Sequence, residues 1–137
     1  MTEEAATVVK KIEKAIELCA LWYSVPADRL RAHAWAETTY DSEGTNTHVI
    51  SGDGGMGLWQ IERGIHPIAD DDSAFDVLVS TAWAARFLAL LYKRTGDWRS
   101  ASRDYNGSGP AAEDYTNKIT SFMSSKPWTA CVQDANA

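Results

Sequence analysis

Glu37 sits where a folding pattern alone would not put a carboxylate. Leu30, His33, Ala34 and Glu37 recur at spacings of three and four, so they share one stripe of a helix read from Ala27 to Glu37 or Thr38. The stripe is the face that should pack, and Glu37 falls at the helix's C-terminal, negative pole. Desolvation and the helix dipole both disfavour a charged carboxylate there. An acid still protonated near neutral pH is what general-acid cleavage of a glycosidic bond requires. An exposed last-turn glutamate of ordinary acidity fits the same spacing, and periodicity alone leaves both readings open. Other chemistries find no support. His33, His48 and His66 show no metal-ligand spacing, and there is no Gly-x-Ser-x-Gly, phosphate loop or Cys/His nucleophile pattern. Asp70-Asp71-Asp72 lacks the alternation of a calcium loop and reads as a helix cap and solvated turn. Asp41 and Glu43 read as loop residues.

Three kinds of element must position this stripe. Residues 3–23 form an amphipathic pattern, with Val8, Ile12, Ala15, Ile16 and Cys19 on one face. Pro26 suits the first turn of the helix that carries Glu37, with Asp28 near its positive end. Residues 39–66 change in kind: six of the nine glycines fall between 44 and 64. Thr47–Ile50 and Leu58–Ile61 look extended, which reads as a small irregular hairpin or three-stranded sheet. Helical periodicity returns from Ser73 to Arg94, apolar almost all round, as expected of a central buried helix. Gly96 stops it, and Asp97 caps a short helix carrying Trp98, Ala101 and Tyr105. Asn106-Gly107-Ser108-Gly109 ends that helix. A last helix runs from Pro110 to about Ser124, and residues 125–137 read as a C-terminal tail that Trp128 could pack down. The expected fold class is α+β, mainly α: one domain over residues 1–137, with a glycine-rich β insertion.

Composition narrows the function classes. The chain has 137 residues, 45% hydrophobic and 23% charged, neither disordered nor membrane-spanning in character. Its net charge of −6 argues against a bare nucleic-acid binder. Six tryptophans and five tyrosines can fill a core or line a groove for sugar rings. Trp22 and Trp83 read as core, and Trp59 as facing a cleft. Cys19 and Cys131, one near each end, fit no zinc or redox motif and read as two unpaired thiols; a disulfide between them is the alternative. The N-terminus is acidic, without an apolar core, so no signal peptide is visible.

Ala36-Glu37-Thr38, Gly57-Leu58-Trp59-Gln60-Ile61, Asp104-Tyr105-Asn106-Gly107-Ser108 and Tyr115 occur in that order. The series resembles the lytic transglycosylase / goose-type lysozyme superfamily over roughly residues 8–123. Thr38 stands where that pattern has Ser, Trp59 where it has Met, and Asp104 where it has Ala. The resemblance implies a lysozyme-like helical domain cleaving the β-1,4 bond between N-acetylmuramic acid and N-acetylglucosamine, with Glu37 as general acid. Thr38, Trp59, Gln60, Tyr105, Asn106 and Tyr115 would bind substrate, Tyr105 hydrogen-bonding Glu37 and Tyr115 closing the site. It implies no metal or cofactor, a monomer, and peptidoglycan strands as the partner, with neither nucleic acid nor membrane.

The subclass turns on a second carboxylate. Inverting hydrolysis needs one to activate water, whereas a lytic transglycosylase lets the muramyl 6-hydroxyl attack and leaves a 1,6-anhydro end. Ser51 to Glu62 followed by His66-Pro67 looks more like the goose-type pattern, in which Asp53 and Glu62 hold the two acid positions. Hydrolysis is therefore the expected outcome. Alternatives are lytic transglycosylation, chitinase-like cleavage of N-acetylglucosamine polymers, and a non-catalytic glycan-binding module. Action is expected at the bacterial cell wall, as a phage lysin, a virion-associated domain or an exported domain. The acidic balance gives little attraction to an anionic wall, so targeting would rest on the cleft or on a partner or domain outside this chain.

Overall fold

The computed structural model describes residues 1–40, 50, 55–62, 65–70 and 72–137. Asp41, Glu43, Thr47–Val49, Asp53, Asp71 and the glycines at 44, 52, 54 and 64 lie outside the described residues.

Among the described residues, six α-helices accompany one short hairpin: α1 (Glu3–Tyr23), α2 (Ala27–Thr38), β1 (Gly55–Met56), β2 (Ile61–Glu62), α3 (Val77–Thr95), α4 (Trp98–Asn106), α5 (Pro110–Ser125) and α6 (Trp128–Ala135). The mainly helical α+β class is the one expected. α1 packs on α2, α3 and α6; α4 packs on α3 and α5, and α2 also rests on α5. The α1 stripe of Val9, Ile12, Ile16 and Cys19 is fully buried at the centre. Thr2 caps α1 by accepting the Ala5 N–H, and Asp97 caps α4 through Ser100 N.

Four elements differ from expectation, each for a physical reason. Most of the segment read as a tail is helix α6, and Trp128 packs it down as expected. Trp128, Cys131, Val132 and Ala135 recur at helical spacing and press α6 onto α1. Trp22 is 57% exposed, because the buried stripe passes from Cys19 to Tyr23, one helical turn on. α3 starts at Val77 and not at Ser73: two 3-10 turns, Pro67–Asp70 and Asp72–Phe75, take up the preceding chain. Its cap is Asp76, not the run of three aspartates, with Oδ1 accepting from Val79 N at 2.8 Å. Nor is α3 buried all round. Small residues (Ser80, Thr81, Ala84, Ala85) face its neighbours, whereas Leu78, Val79 and Leu90 are exposed. Cys19 and Cys131 are both unpaired thiols.

The hairpin is the element that organises the site. β1 and β2 pair antiparallel, Gly55 with Glu62 and Met56 with Ile61. The stretch expected to be a strand, Leu58–Ile61, is mostly the turn between them, closed by Gln60 N–H donating to Gly57 O at 3.0 Å. Ile50 adds an isolated bridge to Met56. Most hairpin turns are polar and exposed, but here Leu58 and Trp59 at the corners are buried. Two hydroxyls clamp the turn. Thr38 Oγ1 donates to Leu58 O at 2.9 Å from the end of α2, and Trp59 Nε1 donates to Thr81 Oγ1 at 2.9 Å on α3.

Thr81→Val keeps the side-chain shape but leaves a buried indole N–H without an acceptor. The expected cost is about 1–3 kcal/mol of stability, read as a lower midpoint in urea unfolding. An unchanged midpoint would mean that the clamp is not a stabilising contact.

Candidate active site

The end of α2 places Glu37. Thr39 and Tyr40 both take left-handed backbone (φ 54° and 60°), which costs non-glycine residues about 1–3 kcal/mol each. The reversal drives Tyr40 into the core, where its ring meets Trp35 at 5.6 Å. The helix therefore stops at Thr38, and Glu37 is held in its last turn, half-buried. Gln60 is likewise left-handed (φ 48°), and its Nε2 donates back to Gly57 O at 2.8 Å. Strain at both places is sustained by the packing around it, as at functional sites generally.

A cleft of about 440 Å³ opens between these elements. Glu37 lines it together with Gln60 and Glu62 of the hairpin, and Tyr105 and Asn106 from the end of α4. Residues some seventy positions apart in sequence thus meet in one cavity. Asn106 is followed by Gly107 at φ 139°, a conformation that glycine permits at the mouth of the cleft.

Other expected site residues lie elsewhere. Thr38 is not in the cleft wall; its hydroxyl clamps the hairpin turn. Tyr115 does not line the cleft; it is half-buried against the core, its Oη 2.9 Å from His33 Nδ1. Trp59 contributes to the wall but is 0% exposed, so it offers no free ring face for stacking, which corrects that expectation. Its larger ring fills the space between hairpin and α3. Tyr105 Oη is buried and meets no hydrogen-bond partner among the described residues, so the expected bond to Glu37 is not formed. Asp53 lies outside the described residues.

The cleft also contains residues that the sequence does not mark as part of a site. Trp83 and Phe87, one turn apart on α3, line it with His66, whose ring lies 4.9 Å from Trp83 and 5.7 Å from Phe87. Tyr105 completes the aromatic wall, 5.4 Å from Phe87. Trp83 had read as core because α3 is apolar on every side, and periodicity cannot tell a packed face from a cleft face. Asp104, a charge with no evident role in sequence, lines the cleft and pairs with Arg94 and Arg103 at 3.7 and 3.4 Å. Such exposed pairs contribute little stability.

Electrostatics behind the cleft are set by burial. Desolvation and then the Glu37 charge push the Tyr105 phenol well above its ordinary range, and the Tyr115 phenol likewise. Both remain neutral hydroxyls. Burial, with Arg29 adding repulsion, lowers His33 to about 3, so its imidazole is neutral across the physiological range.

A bundle of helices around a buried hairpin, with an acid at a helix end opening into a cleft of aromatic and amide side chains, defines a lysozyme-like domain. The chain belongs to the transglycosylase SLT domain family, whose model matches residues 20–127. It is thereby a member of a glycosidase-type family that acts on peptidoglycan. No curated protein and no solved structure matches the chain. Among the described residues no helix is long and apolar enough to cross a membrane.

Proposed function

We propose that this domain is a muramidase that cleaves the N-acetylmuramic acid–N-acetylglucosamine bond of peptidoglycan by hydrolysis, with Glu37 as general acid. The observation that supports the reading is that a second carboxylate, Glu62, lines the same cleft as Glu37. Glu37 protonates the leaving oxygen, and Glu62 activates water on the opposite face of the sugar. Asp53 is the other carboxylate that the goose-type pattern brings to this role. Gln60 and Asn106 hydrogen-bond the acetamido and hydroxyl groups, and Trp83, Phe87 and His66 supply the apolar and stacking surface. Wall targeting falls to the cleft or to a partner, since a net charge of −6 gives no pull towards an anionic wall.

The family match favours a second reading, lytic transglycosylation, in which Glu37 acts alone and the muramyl 6-hydroxyl closes on its own anomeric carbon. Mass analysis of released muropeptides separates the two. Hydrolysis yields reducing ends one water heavier than the anhydro ends of transglycosylation. With Glu62→Gln, a hydrolase is expected to lose about 10²–10⁴-fold in rate. Anhydro ends from the wild type, with Glu62→Gln fully active, would overturn the hydrolytic assignment. Turnover of chitooligosaccharides without turnover of peptidoglycan would overturn the substrate.

A further inference from the structure

Three carboxylates line the cleft, those of Glu37, Glu62 and Asp104, and among the described residues no lysine or arginine does. Peptidoglycan strands are themselves anionic, because muramyl residues carry, through their lactyl groups, peptide stems with free carboxylates. We propose that Arg94 and Arg103, gathered on Asp104 at the α4 side of the cleft, form a subsite for a carboxylate of the stem. The inference rests on the muramidase reading of this cleft and deepens it, naming a part of the substrate beyond the sugar rings.

Asp104 is where the two side chains meet. Its Oδ2 lies 3.7 Å from Arg94 Nη2, and its Oδ1 accepts from Arg103 Nε at 3.4 Å. Each oxygen serves one guanidinium, so the charge of Asp104 is committed to the arginines and not to activating water. Arg94 stands in the last turn of α3 and Arg103 in the last turn of α4. Each is a cation near the negative pole of its helix, a favourable place. Asp104 then draws both towards the wall that it lines. Exposed pairs of this kind add little to folding, so stability gives no strong reason for a charge at position 104.

The arginines keep donors for a ligand. A guanidinium holds five N–H groups in a planar fork that meets a carboxylate with two parallel bonds. Arg94 offers Asp104 one nitrogen, and its side chain is 70% exposed. Arg103 gives Nε to Asp104 and Nη1 to Glu113 Oε1 at 3.3 Å, and is 43% exposed. That leaves Nε and Nη1 of Arg94 and Nη2 of Arg103 for an incoming carboxylate. A stem branches from the sugar and has to leave the cleft. Gly107 lines this same side, and no atom stands within 4 Å of where a Cβ would be, so the exit is not walled by a side chain. Chitin-like polymers carry no carboxylate, so the subsite favours peptidoglycan over them.

The test compares purified peptidoglycan strands, freed of other wall polymers, with their stem carboxylates intact or converted to amides by carbodiimide and ammonia. The wild type is expected to show a KM about 10-fold lower on intact strands, the worth of one charge-assisted contact. The double substitution Arg94→Gln with Arg103→Gln is expected to lose that preference, its KM on intact strands rising to the amidated value. Equal KM values for the wild type on both strands, or a double variant that keeps the preference, would overturn the proposal. Asp104→Asn releases the arginines without removing them, and is expected to lose part of the preference through KM. A loss in kcat alone would overturn its anchoring role. Strands stripped of stems by an amidase carry the freed lactyl carboxylate instead, and are expected to behave as the amidated strands do. If the wild type prefers them as strongly as intact strands, the stem assignment falls. Calorimetric binding to Glu37→Gln makes the intact-against-amidated comparison without turnover. A 10-fold difference in Kd with an active Glu37→Gln sinks the acid and leaves the subsite. Equal Kd values with an inactive Glu37→Gln do the reverse.

Discussion

Glu37→Gln is expected to fold as the wild type does and to lose about 10²–10⁴-fold in peptidoglycan-clearing rate, the usual contribution of one general acid. The substitution is nearly isosteric, and Glu37 is half-buried at a helix end, outside the hydrophobic core. It removes one possible charge from the negative pole of α2, so thermal stability should stay level or rise slightly. The left-handed stop at Thr39 and Tyr40 and the Thr38–Leu58 clamp involve other atoms. Circular dichroism, a melting curve and turbidity loss of a cell-wall suspension make the comparison. A variant that clears walls at the wild-type rate would remove Glu37 from the chemistry, and the cleft would then be read as a glycan-binding groove.

Acid is expected to destabilise this domain through His33, over a window that its burial defines. In an unfolded chain the imidazole titrates near 6.5; in the folded protein it stays neutral down to about 3. Between these values unfolding takes up a proton, so stability is whole above about pH 6.5 and falls as the pH drops towards 3. The slope is about 1.4 kcal/mol per pH unit, and the total is roughly 5 kcal/mol. A domain of this size has about 5–15 kcal/mol in all, so one residue can govern its acid limit. Carboxylates contribute to the same limb: Asp28 is lowered by its hydrogen bonds to Arg31 and Lys126, against the raising effect of its own desolvation. His33→Leu isolates the histidine share. Its chemical-unfolding free energy should be lower at pH 7, where the Tyr115 and Ser102 hydroxyls lose a partner, yet fall less steeply between pH 6 and 4. An NMR titration gives the same answer without a variant. His33 signals that move with a midpoint near 6.5 would contradict its buried, neutral state.

Much of this architecture was readable because α-helices announce themselves. The bounds of α1 and α2 follow from periodicity, and the ends of α4 and α5 follow from Asp97, Gly107 and Pro110, whose backbone or capping chemistry acts within one turn. Legibility failed where two faces of one helix were apolar for different reasons. On α3 the small residues pack, Trp83 and Phe87 line a cleft, and Leu78, Val79 and Leu90 are exposed. Apolar side chains occur in all three settings, so hydrophobicity alone does not separate them. The α6 stripe is faint in sequence because its eight residues give barely two turns of pattern. Trp59 misled for a related reason: an aromatic in a glycine-rich segment can stack on a ligand or anchor the segment, and only the position of Thr81 decides between them.

The sequence by itself determined the helical frame, the family, and which residue types could do glycosidic chemistry, because these depend on local periodicity, capping and short motifs. Only the tertiary structure decided which of those residues share a cavity. It brought Glu37, Gln60, Glu62, Tyr105 and Asn106 together, turned Thr38 and Trp59 into clamps, and tied Tyr115 to a buried histidine. The physical reason is that hydrogen-bond partners in a desolvated core are assigned by three-dimensional proximity. A hydroxyl or imidazole must find its partner across helices, and no spacing along the chain records which partner that is.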